Sequence, residues 1–149
     1  METLMADDWA HERHEFAREI AVVARRWRTR LDDRLKDLGM SQARWVALYY
    51  LGLFPQGLSQ TALAERTAVE APTLMRVIDQ LEAQGLVERR PSPGDRRIKL
   101  LCITSAAAPI VREIDGIADA LRHEVMEDIS ADELRNAMAV LKRMRARLG

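Results

Sequence analysis

Five basic residues, Arg89, Arg90, Arg96, Arg97 and Lys99, fall within eleven positions, and only Asp95 opposes them inside that span. Between them runs Pro91-Ser92-Pro93-Gly94-Asp95, a run of turn formers that makes a stiff loop with arginine at its tip. Guanidinium groups presented this way suit the narrow minor groove of DNA, where the negative potential is greatest. A second set stands upstream at helical spacing: Pro72, Thr73, Arg76 and Gln80. Arginine pairs bidentately with guanine, glutamine with adenine, and threonine meets a thymine methyl or a phosphate. The bland alternatives are a solvated polar face and a charged hairpin that avoids edge pairing. Two such sets in one short span favour double-stranded DNA.

The elements that must carry these residues follow from periodicity. From about Asp8 to Leu38 there is no Pro or Gly, and Trp9, Phe16, Ile20, Val23, Trp27, Leu31 and Leu38 keep the steps of one long amphipathic helix. Gly39 suits its end, and Ser41 suits the N-cap of a second helix that Pro55 and Gly57 close. Ser59 begins a short third helix to about Arg66. A fourth opens near Ala71, with Pro72 in its first turn, Leu74, Val77, Ile78 and Leu81 as its apolar stripe, and Gly85 as its end. Pro72, Thr73, Arg76 and Gln80 lie opposite that stripe. Leu86–Arg90 and Arg97–Ile103 read as two strands of a hairpin. Thr104 suits the cap of a fifth helix, and Ser130-Ala131-Asp132-Glu133 is a capping box opening the last. The fold class is mainly α with a small β-hairpin, in the order of a winged helix-turn-helix.

Composition narrows the function classes. The 149 residues carry 23 basic and 23 acidic side chains, so bulk charge does not drive binding to a polyanion. The first forty residues hold 8 basic against 9 acidic groups, and the segment from Cys102 onward 7 against 8, which leaves the positive excess in the hairpin. No apolar run reaches bilayer length and no secretory signal is visible, which predicts a cytoplasmic protein with no membrane partner. No nucleophile elbow, phosphate-binding loop or dinucleotide fingerprint appears, so neither an enzyme nor a cofactor is expected. Cys102 falls among Leu100, Leu101 and Ile103 and reads as a small hydrophobe. His11 and His14 lack the spacing of a zinc motif, and no metal is expected.

Asp95-Arg96-Arg97, five residues, then Ile103-Thr104 resembles the wing signature of the MarR family of regulators. Ser59-Gln60 through Gln80-Leu81-Glu82 and Gly85-Leu86-Val87 is similar to its SlyA-like branch. The resemblance implies a homodimer on a pseudo-palindromic operator, with residues 1–38 and 104–149 as a helical dimerisation region and 41–103 as the winged helix-turn-helix, all one intertwined domain. It implies Arg97 as the arginine that enters the minor groove, Asp95 as its anchor, and Pro72, Thr73 and Arg76 as recognition-helix contacts. It further implies a repressor released by a small ligand, an aromatic carboxylate or a phenol. The sequence departs from the signature in Ile103, where Leu is usual, and in Ser105–Pro109, which lacks the family's Gly after the Thr.

All seven aromatic residues precede position 55. Phe16, Trp27, Trp45, Tyr49 and Tyr50 are the candidate walls of an effector pocket, with Arg18, His11 and His14 as candidate partners for a carboxylate. Trp27, Trp45 and Tyr49 at helical spacing describe a packed core more readily than a pocket, because such stripes usually pack. A winged helix that binds protein, and a regulator of this kind without an effector, stay open at this point.

Overall fold

The computed structural model describes residues 2–149, with side chains from Asp8 onward. Its elements in chain order are α1 (Glu2–Lys36), α2 (Gln42–Leu53), β1 (Leu58–Ser59), α3 (Gln60–Thr67), α4 (Ala71–Ala83), β2 (Val87–Pro91), β3 (Lys99–Ile103), a 3-10 turn (Ser105–Ala107), α5 (Ala108–Val125) and α6 (Ala131–Leu148). The chain divides into two compact units, residues 1–118 and 119–149. No described helix is long and apolar enough to cross a membrane.

The first unit is built around α2. Its apolar residues run nearly all round the helix, and Trp45, Val46, Ala47, Leu48 and Leu51 are buried. It packs against α1, α3, α4 and β3. Ser41 caps it by accepting a hydrogen bond from the Arg44 amide at 3.4 Å, as its position predicts. The preceding helix stops at Gly39, whose φ of +77° is left-handed, with the Met40 amide reaching back to the Leu35 carbonyl at 3.2 Å. Near the end of α1, Leu31 and Leu35 are buried, and Asp32 accepts a 2.7 Å hydrogen bond from the Trp45 indole N–H. That bond satisfies the one polar atom of a buried indole.

The sheet holds three antiparallel strands in the order β1-β3-β2, not the two of a simple hairpin. Leu58 and Ser59 pair with Leu101 and Leu100. A two-residue strand has no readable period, so only long-range pairing defines it. Gly57 makes the entry: its φ is +98°, and a Cβ there would sit 2.6 Å from Cys102 Sγ. The second wing strand begins at Lys99 rather than Arg97. Ser92 N–H donates to the Ile98 carbonyl at 2.8 Å and Ile98 N–H to the Asp95 carbonyl at 3.1 Å, so this stretch is spent on the loop.

Thr104 departs from its expected role as a helix cap. Its side chain caps nothing, and Ser105–Ala107 forms a 3-10 turn before α5. The hydroxyl donates instead to the Gly85 carbonyl at 2.6 Å, because that carbonyl has no helical partner past the end of α4. The segment that lacks the family's Gly, Ser105–Pro109, comprises this 3-10 turn and the first two residues of α5.

In the second unit the capping box is complete. Glu133 N–H donates to Ser130 Oγ at 3.2 Å and Ser130 N–H to Glu133 Oε2 at 2.8 Å. The backbone and side-chain hydrogen bonds to Ser130 hold the Glu133 carboxyl below the usual carboxylate range. α6 buries no residue, and Leu134, Met138, Leu141 and Leu148 stand exposed at steps of four, three and seven.

Candidate nucleic-acid interface

α3 and α4 are joined by a three-residue turn. Ala68 adopts φ 53°, ψ 25°, a left-handed conformation unfavourable for a side chain bearing Cβ. Beneath it Thr67 is fully buried, with its hydroxyl donating to the Ala64 carbonyl at 3.3 Å and accepting from the Val69 amide at 3.4 Å. The turn releases α4 with Pro72 at its start and no side-chain cap on its first N–H groups. Leu74, Ile78 and Leu81 are fully buried, and burial of each contributes about 2 kcal/mol. That buried stripe fixes the rotation of the helix. Pro72, Thr73, Arg76 and Gln80 are consequently all exposed, on the opposite side.

The wing presents Arg97. Asp95 Oδ1 accepts from Arg97 N–H at 3.0 Å and from Nε at 3.1 Å, while Oδ2 accepts from Nη2 at 3.1 Å. The Arg97 side chain nevertheless stays 90% exposed. Its guanidinium is therefore oriented without being consumed. The side-chain hydrogen bond from Arg97, then the backbone one, hold the Asp95 carboxyl below its ordinary value. Arg76, Arg96 and Lys99 make no ion pair among the described residues.

Arg89 and Arg90 are placed differently. Arg89 donates from Nη2 to Asp79 Oδ1 at 3.0 Å and from Nη1 to Glu82 Oε1 at 2.6 Å, both on α4. The Asp79 hydrogen bond leads the causes that push the Arg89 guanidinium up. Arg90 pairs with Glu88. Within the span Asp95 is the lone acid, but in space Asp79, Glu82 and Glu88 compensate two of the five cations. Asp79 and Glu82 are one helical turn apart and so share a flank of α4, but nothing in the sequence marks Arg89 as their partner.

The aromatic candidates are not gathered into one cavity. Trp45 is core, with Tyr49 edge-on to it at 6.4 Å and Tyr50 edge-on to Tyr49 at 5.5 Å. Phe16 is exposed and Trp27 half-buried. His14 and Arg18 lie on the open face of α1, as does His11, which meets Glu15 at 3.4 Å. A cleft of about 500 Å³ opens elsewhere, lined by Ala24, Arg28, Gln42, Thr67, Glu70 and Thr73. Arg28 lies over the Trp45 ring at 5.7 Å and donates to the Thr67 carbonyl at 3.4 Å. Sequence reading missed Arg28, because nothing in the spacing of α1 marks which of its many arginines meets α2 and the helix-turn-helix.

Known proteins share this arrangement. The sequence model of the MarR family matches residues 38–98, from just after α1 to just before β3. Transcriptional regulator PA3341 is 40% identical, over 89% of this chain and 97% of that one, with a TM-score of 0.81. The chain belongs to the MarR family. A MarR-family regulator from Silicibacter pomeroyi matches at 26% identity over 87% of each chain, TM-score 0.76. Apo MarR from E. coli matches at 26% identity over 86% of this chain and 95% of that one, TM-score 0.66. The fold is thus that of a MarR transcriptional regulator, mostly helical with a small three-stranded sheet. Its winged helix is consistent with DNA binding.

Proposed function

We propose that this MarR-family chain is a sequence-specific DNA-binding regulator that acts as a homodimer, with repression as its mode. The observation that carries the reading is the Arg97 fork, held by both oxygens of Asp95 yet 90% exposed. An ion pair made only for stability would bury its partners or leave them loosely solvated; this one fixes the direction of an open cation. Pro72, Thr73, Arg76 and Gln80 read the major groove, while Arg96, Arg97 and Lys99 meet the minor groove and its phosphates. A winged helix that binds protein has no need of arginines at both places.

Dimerisation is supported by apolar faces that the single chain leaves open. On α1, Trp9, Phe16 and Val23 repeat every seven residues and are about half exposed. On α6, Leu134, Met138 and Leu141 form a second open stripe. Patches of this kind on a monomer mark an interface. A two-fold dimer would set its recognition helices about 34 Å apart, one turn of DNA. Sites selected from random duplexes should be pseudo-palindromes, footprinted symmetrically by two chains. An asymmetric footprint filled by one chain would remove this reading.

For the effector, the cleft beside Thr73 supports a small aromatic carboxylate better than the aromatic stripe does. Arg28 offers the cation and the Trp45 ring lies under it. A ligand there would touch α1 and the first turn of α4 at once, and so bias the recognition helix. Calorimetry with benzoates and cinnamates should give binding that Arg28→Ala abolishes; silence across the panel leaves a regulator without this class of effector.

A further inference from the structure

Two acids stand where a DNA-binding helix can least use them. Asp79 and Glu82 lie one turn apart on α4, on the flank of the face that carries Arg76 and Gln80. Arg89 meets the two together, at 3.0 Å and 2.6 Å, from separate guanidinium nitrogens. It projects from β2, where it pairs in register with Leu101 of β3. One side chain therefore joins the wing sheet to the recognition helix. It is only 29% exposed, against 90% for Arg97, so its charge is withdrawn rather than presented.

We propose that Arg89 is a positioning residue: it fixes the wing against α4, so that the two DNA-reading elements keep one spacing, without touching DNA itself. This rests on the DNA-binding reading above. Arginine is required because its planar fork serves two carboxylates from different nitrogens, whereas a lysine ammonium is a point charge. The hydrogen bond from Thr104 to Gly85 ties the same two elements at the base of the wing, so Arg89 supplies the second point needed to stop the wing from swinging.

The test uses the full chain as Arg89→Ala, Arg89→Lys and the double variant Asp79→Asn with Glu82→Gln, all checked for wild-type helicity. Amide hydrogen exchange of β2 and β3 in the free protein should quicken about fivefold in the alanine and double variants, the scale of a lost partly exposed ion pair. Binding is then measured across salt on a duplex of the selected site and on a random duplex. The preference for the selected site should fall about fivefold in the same two variants, with the salt slope unchanged, and Arg89→Lys should recover less than half of it. Unchanged exchange in all variants overturns the proposal. So does a slope flattened by about one in Arg89→Ala together with tighter binding of both duplexes by the double variant, which would mark Arg89 as a phosphate contact. If wild type binds no duplex, the DNA reading fails, and exchange still decides whether Arg89 fixes the wing.

Discussion

Thr104 and Gly85, nineteen residues apart, are joined by a 2.6 Å hydrogen bond from the threonine hydroxyl to the glycine carbonyl. The Thr104 amide adds a 3.0 Å bond to the Leu86 carbonyl. The residue that leaves the wing is thus pinned to the residue that ends the recognition helix. Thr104→Val keeps the shape and removes the donor, leaving the Gly85 carbonyl dependent on water. Chemical denaturation should show a loss of about 1 kcal/mol. A variant as stable as wild type would mean that this contact adds nothing.

Asp95 and Arg97 give a pH prediction with a definite sign. The Asp95 carboxyl is held below its ordinary value, so its contribution to wing order is complete above the ordinary aspartate range, about pH 4, and disappears as pH falls through the depressed value. The Arg97 Nε–H resonance should therefore hold its position between neutral and mildly acid pH and shift only in stronger acid. A shift near neutrality would place another group in control of the fork.

Ala68 carries a side chain at φ 53°. Glycine adopts that conformation freely, so Ala68→Gly should stabilise the fold by about 1 kcal/mol despite the usual entropic cost of glycine. The melting temperature reads this directly. A fall would show that the turn relaxes around the alanine.

Gly57 is the opposite case. A Cβ would meet Cys102 Sγ at 2.6 Å and Leu100 Cβ at 3.0 Å at a positive φ. Gly57→Ala should destabilise by about 2 kcal/mol, with added strain and overpacking as the cause. Alanine tolerated without loss would mean that β1 shifts away from β3.

Local signals were enough for the helices other than α5. The Ser41 cap, the Gly39 and Gly85 stops and the Ser130–Glu133 box each depend on residues within a few positions, and each forms as expected. The buried stripe of Leu74, Ile78 and Leu81 likewise sets which face of α4 stays open. Long-range features were not legible. β1 exists only through its pairing with β3, and the Thr104 hydroxyl turned from its local cap to a carbonyl nineteen residues away. At the candidate site, the exposed polar face follows from near neighbours, and the Asp95–Arg97 pair is what the family resemblance implies. The commitment of Arg89 to Asp79 and Glu82 follows from neither, because it depends on how the wing folds back along α4. The aromatic residues are ambiguous for a related reason. Trp45 has the spacing of a pocket wall or a core residue, and only the hydrogen bond to Asp32 and its burial assign it to the core.

An exposed, pre-oriented Arg97 is expected to contact DNA. The most direct test is fluorescence anisotropy of wild type and Arg97→Ala on one selected duplex across a salt series. If the claim holds, Arg97→Ala keeps its fold, binds at least tenfold more weakly at low salt, and loses about one unit from the slope of log K against log salt per contact removed. Equal affinity and equal slope for the two proteins would contradict it.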